Sequence, residues 1–421
     1  MRPLLTRFSR TTFASLEVPN YRLYLGGQSL SLVGTWMQTA AQSWLVLTLT
    51  RSATDLGLVV ALQTLPVLLL SPYGGVIADR VDKRRAMLIL QAMMAVQALA
   101  LGLLTVTHSV HLWEIGALAI VLGLNNAFEN PARQSFMLEL VGADHLRNAV
   151  SLNSTMVNVA RVVGPGIGGL LILAVGTGWC FLINAVSFVA VISSLLRMNK
   201  QELRPVAPSP RAKGQLRDGL RYVRGDPALL VPLLMAALVG CFAYEFQVSL
   251  PYMAQHALHG SSAAYGVMTA AMGLGAVGGG LWLAGRGRTG VGPLVVSATG
   301  FGVTIAAAAV APSLVLELVA LVATGGMSIA FMAQTNATLQ LAAAPSMRGR
   351  VMSLWFVAMQ GSTPIGGPVI GFVMADLGAR SGLAVGAITC FVAAVAGAWV
   401  LRVTRRRADS AAGPTHHVAA S

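Results

Sequence analysis

Apolar stretches of about 20 residues recur along nearly the whole chain between short polar punctuations. At about 1.5 Å per helical residue, each is long enough to cross a ~30 Å hydrocarbon layer. The pattern predicts twelve spans, at 23–48, 56–78, 86–107, 112–135, 148–175, 178–197, 229–254, 262–284, 291–311, 314–338, 350–376 and 380–402. They group as a bundle at 23–197, a linker at 198–228 and a second bundle at 229–402, flanked by an amino-terminal segment 1–22 and a tail 403–421 expected to be disordered. The linker carries Pro205, Pro208 and Pro210 and reads as a loop; within it Leu216, Leu220 and Val223 fall on one helical side, which predicts a short surface helix near 214–224.

The two halves match at an offset of 203 residues. Ala127-Phe128 pairs with Ala330-Phe331, Gly75 with Gly278, Lys83 with Arg286, Arg85 with Arg288, Arg147 with Arg350, Gly164-Pro165 with Gly367-Pro368 and Gly168 with Gly371. Two parallel six-helix repeats are the architecture of transporters whose site lies at the midplane between halves.

Composition agrees with the pattern. The 421 residues are 55% hydrophobic and only 10% charged, with a mean hydropathy of +0.69, where a soluble domain carries about 25% charged residues. A net charge of +14 raises nucleic-acid binding, but the positions of the cations exclude it. Nearly all lie at the termini, in the linker and in alternate loops, so the positive-inside rule places both termini and the linker in the cytoplasm. Cys180, Cys241 and Cys390 stand singly in apolar segments, with no metal-ligand spacing. No small-residue cleavage site follows the first apolar run, so the first helix is expected to stay. There is no Gly-x-x-x-x-Gly-Lys-Ser/Thr, so no ATP site is expected, and His108 and His111 are too isolated for a membrane-embedded enzyme. The excess of Arg over Lys fits a G+C-rich bacterium.

Candidate chemistry sits where polar side chains interrupt the spans. Gln28, Ser31, Thr35, Gln38 and Gln42 share one face of the first span. Such a stripe either lines a hydrated cavity or makes interhelical hydrogen bonds, and its length over four turns favours the cavity. Ser151, Ser154, Asn158 and Arg161 repeat the idea in the fifth span. Arg161 falls near the bilayer middle, where a cation costs at least ~2.5–3.5 kcal/mol unless paired or hydrated. Glu245, at similar depth in the seventh span, can pair with it directly or in alternation; it is either a structural acid or the site of a proton or substrate cation. Glu129 is a further coupling candidate, though a rim charge is the commoner reading. Asp55, Glu114, Glu317 and Asp376 read as hydrated rim positions. Trp36, Trp355, Gln360 and the methionines complete a mostly neutral cavity suited to amphipathic ligands. Gly273, Gly275, Gly278, Gly279 and Gly280 are expected to let helices approach closely.

The run Gly75-Val76-Ile77-Ala78-Asp79-Arg80-Val81-Asp82-Lys83-Arg84-Arg85 resembles the loop motif of the major facilitator superfamily, with Asp82 where a glycine is commonest. Asn20-Tyr21-Arg22-Leu23-Tyr24, Gly34-Thr35-Trp36-Met37-Gln38 and Glu129-Asn130-Pro131-Ala132-Arg133-Gln134 resemble the subfamily of enterobactin and multidrug exporters. The resemblance implies an all-α membrane fold of twelve helices in two pseudo-symmetric bundles. It also implies a conformational latch of Gly75, Asp79, Arg80, Arg84 and Arg133, in which Asp79 faces a helix start near Arg350 and pairs with Arg133. Gly164, Pro165, Gly168 and Gly169 resemble the fifth-helix antiporter motif, expected to kink the helix. One departure is the absence of a cation between Leu118 and Phe128, where drug exporters carry a mid-membrane Arg.

The expectation is thus a monomeric, multi-pass carrier of a bacterial inner membrane. It exports small amphipathic molecules by alternating access, with the proton as coupling ion and no other cofactor. The rivals are an importer of a polar nutrient of the same fold, a membrane enzyme and a sensor.

Overall fold

The computed structural model describes residues 14–204, 215–284 and 289–411, and among them are fourteen α-helices, two short 3-10 turns and no strand. In chain order these are α1 (Pro19–Thr50), α2 (Ala53–Arg80), α3 (Lys83–Val106), α4 (Leu112–Val175), α5 (Thr177–Arg197), α6 (Gln215–Arg224), α7 (Pro227–Phe242), α8 (Phe246–His256), α9 (Ser262–Ala284), α10 (Val291–Val310), α11 (Leu314–Ala342), α12 (Arg348–Gln360), α13 (Thr363–Leu377) and α14 (Ser381–Ala411). The 64-residue α4 holds the fourth and fifth crossings, divided at Gly142, whose φ of 71° no side-chain-bearing residue adopts readily. The seventh crossing is α7 with α8, and the eleventh is α12 with α13. Twelve crossings in two groups of six result. Nine helical stretches among the described residues are long and apolar enough to cross a membrane; α1 with its polar stripe is not among them, and α12 and α13 are each too short.

Local chemistry sets the helix starts. Ser52, Asp82, Asp226 and Ser313 accept hydrogen bonds from the first turns of α2, α3, α7 and α11. Asp82 therefore has a use that glycine lacks: at φ −60° it needs no left-handed turn, and its carboxylate takes the Arg85 amide at 3.0 Å. Glu114, expected at a hydrated rim, closes a capping box with His111, whose amide it accepts at 2.8 Å.

Of four apolar clusters among the described residues, a small one around Met94, Leu122 and Phe188 lies within the first half and three others position the junction and its ends. The largest runs through both halves, from Met37, Trp44 and Val60 to Phe246, Met268 and Ile370. A second, around Tyr21, Tyr24, Phe136 and Leu195, belongs to the first half alone. A third, around Val223, Leu229, Leu339 and Val351, belongs to α6 and the second half. The halves thus share a core at the end opposite the described chain ends and have separate cores at the end that carries them. The expected surface helix is α6; it seats Val223 in the third cluster and sets Asp218 3.8 Å from Arg350. The tail departs from expectation, because α14 stays helical to Ala411; residues 412–421, like most of 1–22, lie outside the described residues.

Candidate functional site

Two seams join the halves. On one, α2 meets α13: a Cβ on Gly57 would overlap the Gly367 carbonyl, and one on Gly371 the Ala53 carbonyl. On the other, α4 meets α9: a Cβ on Gly169 would lie 2.6 Å from the Ser262 carbonyl, and one on Gly273 2.7 Å from Val162. Ser262 Oγ donates to the Gly169 carbonyl at 3.1 Å, and Trp44 stacks on Tyr265 with ring centroids 6.3 Å apart. These are pseudo-equivalent helix pairs, so the repeat read from sequence is also the symmetry of the junction. The contacts run from the far end to about mid-helix. Beyond them Ser151, Ser154 and Gln360 are exposed and Asn158 is half-buried.

The antiporter-like segment is a packing node. Gly164 lies against Trp36 and Val33, Gly168 against Met37, and the Pro165 carbonyl against Gly266, so α4 is pressed between α1 and α9. Pro165 stands inside α4, and Gly142 is the residue within α4 that leaves helical φ/ψ.

Arg161 projects to the junction. Its guanidinium carbon sits 4.9 Å from the centre of the Trp36 ring, and Tyr244 of the other half is near enough to interact with it electrostatically. Its buried Nε has no hydrogen-bond partner, and no carboxylate oxygen lies within 4.0 Å of it among the described residues. The direct pair with Glu245 is therefore not formed.

Glu245 faces the other way. It is the last of the three residues between α7 and α8, 3% exposed, and its carboxyl lies against α13: a Cβ on Gly366 would be 2.9 Å from Oε1, and one on Gly367 3.6 Å from Oε2. The Thr363 side chain is near enough to interact with it, while Oε1 has no hydrogen-bond partner. Ser362, the residue before α13, makes no side-chain cap. Two helix breaks, 243–245 and 361–362, thus meet at one buried carboxyl, held beside the positive end of a half-helix.

The stripe on α1 departs from the cavity reading. Gln38 Nε2 donates to Gln97 Oε1 at 2.9 Å, Asn184 Nδ2 donates to Gln38 Oε1 at 2.7 Å, and Gln42 Nε2 donates to Gln63 Oε1 at 3.2 Å. Gln28, Ser31, Gln38 and Gln42 are all buried, and the Thr35 hydroxyl turns back to the Ser31 carbonyl at 2.9 Å. The stripe lies beside the glycine face Gly27 and Gly34, which touches Ser194, Asn184 and Ser187 of α5. Here it is interhelical glue. Gln97, Gln63 and Asn184 were legible only as single polar residues on spans with no stripe of their own.

Several other expected residues have different neighbours. Arg133 is held on its own helix, 2.8 Å from Asn130 Oδ1 and 3.6 Å from Glu129, so Glu129 is a buried partner and no pair of Arg133 with Asp79 is described. The side chains of Gly75 and Asp79 lie outside the described residues, and Arg80 is exposed. Arg84 reaches the end of α5, donating to the Leu195 and Leu196 carbonyls at 2.7 and 3.1 Å. Its neighbour Lys83 forms a buried ion pair with Glu139 at 2.7 Å, which sequence reasoning missed because Glu139 is 56 residues away in a helix then drawn as ending at 135. Glu317 is no rim residue: it is fully buried with neither carboxyl oxygen hydrogen-bonded. Asp376 is exposed, as a rim residue should be. Trp355 is half-buried with an unpartnered Nε1, and Gln334 of α11, not singled out from sequence, has a buried unpartnered Oε1. Of the α9 glycines, Gly275 and Gly279 do admit α11 at Val322 and Gly326, whereas Gly278 faces open space.

Comparison with known proteins places this geometry. The family model described as transmembrane secretion effector matches residues 10–420. The enterobactin exporter EntS of Shigella boydii is 26% identical over 363 residues, covering 84% of this chain and 85% of its own. An uncharacterised transporter of the superfamily in Bacillus subtilis, YfiS, is 30% identical over 227 residues, and the staphyloferrin A transporter of Staphylococcus aureus is 30% identical over 176. Those two alignments span about half of each relative, 52% and 44%. Among solved structures, the nucleoside transporter NupG superposes with a TM-score of 0.72 at 13% identity over 91% of this chain. A bacterial homologue of ferroportin in an inward-facing state superposes with a TM-score of 0.69 at 14% identity over 90%. The chain belongs to the major facilitator superfamily, in its transmembrane secretion effector family.

Proposed function

We propose that this protein exports small amphipathic molecules, of drug or siderophore type, from the bacterial cytoplasm by proton antiport. The bundles 23–197 and 229–402 rock about the junction, and both termini lie in the cytoplasm with the basic linker and loops. Three relatives named for export or transport of such compounds support the direction and substrate class: an enterobactin exporter, a staphyloferrin A transporter and a multidrug efflux pump. The cores are separate toward the end carrying the described chain ends and shared at the other, which supports movement of the bundles about the shared end.

The observation that carries the coupling reading is Glu245, a buried carboxyl where two broken crossings meet. Ionised, it is stabilised by the start of α13 and by Thr363; protonated, it loses that charge interaction, so the proton alters how tightly α7–α8 and α12–α13 are held together. Proton exchange and bundle movement are thereby linked at one place. In this reading Asp79, Arg80 and Arg84 act at the cytoplasmic end, where Arg84 ties α3 to α5.

The test is efflux of a panel of amphipathic dyes, antibiotics and catecholates from cells expressing the wild type or Glu245→Gln, with and without a protonophore. Protonophore-sensitive efflux that the substitution abolishes at equal expression is expected. Intact efflux in the variant removes Glu245 from the mechanism, and no efflux of any compound from the wild type removes the exporter reading.

A further inference from the structure

We propose that the central site selects anionic amphipathic substrates and that the Arg161 guanidinium binds their acidic group. The inference rests on the exporter reading and narrows it to one charge class.

Charge accounting at the junction is the basis. Of the other described charges buried in the bundles, Glu129 pairs with Arg133 and Lys83 with Glu139, Glu245 lies beside Thr363 at the start of α13, and Glu317, an acid, is buried with neither carboxyl oxygen hydrogen-bonded; Arg161 is the cation without a carboxylate partner among these. Arg161 has only the face of Trp36 and the nearby Tyr244, whose hydroxyl donates elsewhere, to the Ser328 carbonyl at 2.6 Å. A ring face attracts a cation but accepts none of the five directed N–H bonds a guanidinium offers. A partly desolvated cation whose buried Nε has no acceptor is under-satisfied. An ionised carboxylate, sulfonate or phenolate supplies both the missing charge and the missing acceptors, and a planar fork holds such groups by two bonds at once.

Position agrees. Ser154, Asn158 and Arg161 follow one another at i, i+4 and i+7 along α4, with Ser154 exposed and Asn158 half-buried, so a polar track leads from the open end to the guanidinium. The Trp36 ring beside it offers an apolar surface for the rest of the ligand, and Tyr244 lies at the α7–α8 break of the other half. An anion on Arg161 therefore sits where the first half faces the element that carries Glu245, and substrate and proton sites are adjacent without sharing a side chain.

The experiment uses the full chain in lipid nanodiscs and two probes of nearly one shape, 2-naphthoate and its neutral amide 2-naphthamide, with binding measured at pH 7 by calorimetry. Naphthoate is expected to bind at least ~10-fold more tightly than the amide, as charge-assisted bonds to a buried guanidinium imply. Arg161→Gln should abolish that preference, and Arg161→Lys should retain part of it, which shows that a charge and not the fold was removed. Equal affinity of the two probes for the wild type, a preference surviving in Arg161→Gln, or no naphthoate binding up to about 1 mM overturns the proposal. Failure of the underlying reading is distinguished by cell efflux: neutral dyes still exported without any anion preference sink only the charge selectivity, whereas no export of any dye sinks the exporter.

Discussion

Glu139→Gln is the substitution whose cost the structure specifies best. Glu139 and Lys83 are 2.7 Å apart with side chains 10% and 8% exposed, at the end of the first bundle where α3 meets α4. Gln keeps the shape and removes the charge, so the Lys83 ammonium is left buried without a counter-charge. Breaking one side of a buried pair costs about 3–5 kcal/mol, because the orphaned charge keeps its desolvation penalty. For a bundle of this size each kcal/mol corresponds to roughly 2–4 °C in Tm, so about 3 kcal/mol predicts a fall of roughly 6–12 °C. The assay is thermal unfolding of purified protein in detergent, followed by tryptophan fluorescence. The charge-free double variant Lys83→Met/Glu139→Met should recover at least half of the loss, since an apolar pair carries no such penalty. A Tm within about 2 °C of wild type for Glu139→Gln refutes the reasoning; a double variant no better than the single one shows that packing, not charge, was lost.

Further outcomes follow from the same geometry. Arg84→Ala removes two bonds to the last carbonyls of α5 and should destabilise the first bundle by about 1–3 kcal/mol, read in the same unfolding assay. Gln38→Leu removes the partners of Gln97 Oε1 and Asn184 Nδ2 and should lower stability by about 1–3 kcal/mol without altering which dyes are exported; a changed substrate profile at wild-type stability would restore the cavity reading of the α1 stripe. Gly366→Val drives a side chain onto the Cys241 carbonyl and the Glu245 carboxyl and should abolish transport with expression retained, as measured by dye efflux.

The fold was largely readable because a membrane makes sequence simple: every crossing must be apolar for about 20 residues, and the cations mark alternate loops. The repeat was readable for a related reason, since matched positions such as Gly164 and Gly371 are close approaches that a side chain would block. What escaped was partnership. A glutamine stripe has one appearance in sequence whether it faces water or Gln97 and Asn184, and nothing in spacing joins Lys83 to Glu139. Arg161 and Glu245 were rightly singled out as costly, but their depth suggested a pair; the turn at 243–245 instead directs Glu245 to the start of α13. Helix breaks inside a crossing were also hidden, because Gly361-Ser362 stands in a stretch whose hydropathy reads as continuous.

The most direct test of the central claim is proton movement by purified protein in proteoliposomes that enclose a pH-sensitive dye. With a 1:1 exchange and no membrane potential, each pH unit across the membrane supplies ~1.4 kcal/mol and supports roughly a tenfold concentration ratio of substrate. Antiport through Glu245 predicts substrate-dependent proton flux in the direction opposite to substrate, and none with Glu245→Gln. Substrate accumulation that ignores the pH gradient and moves no protons would contradict the account.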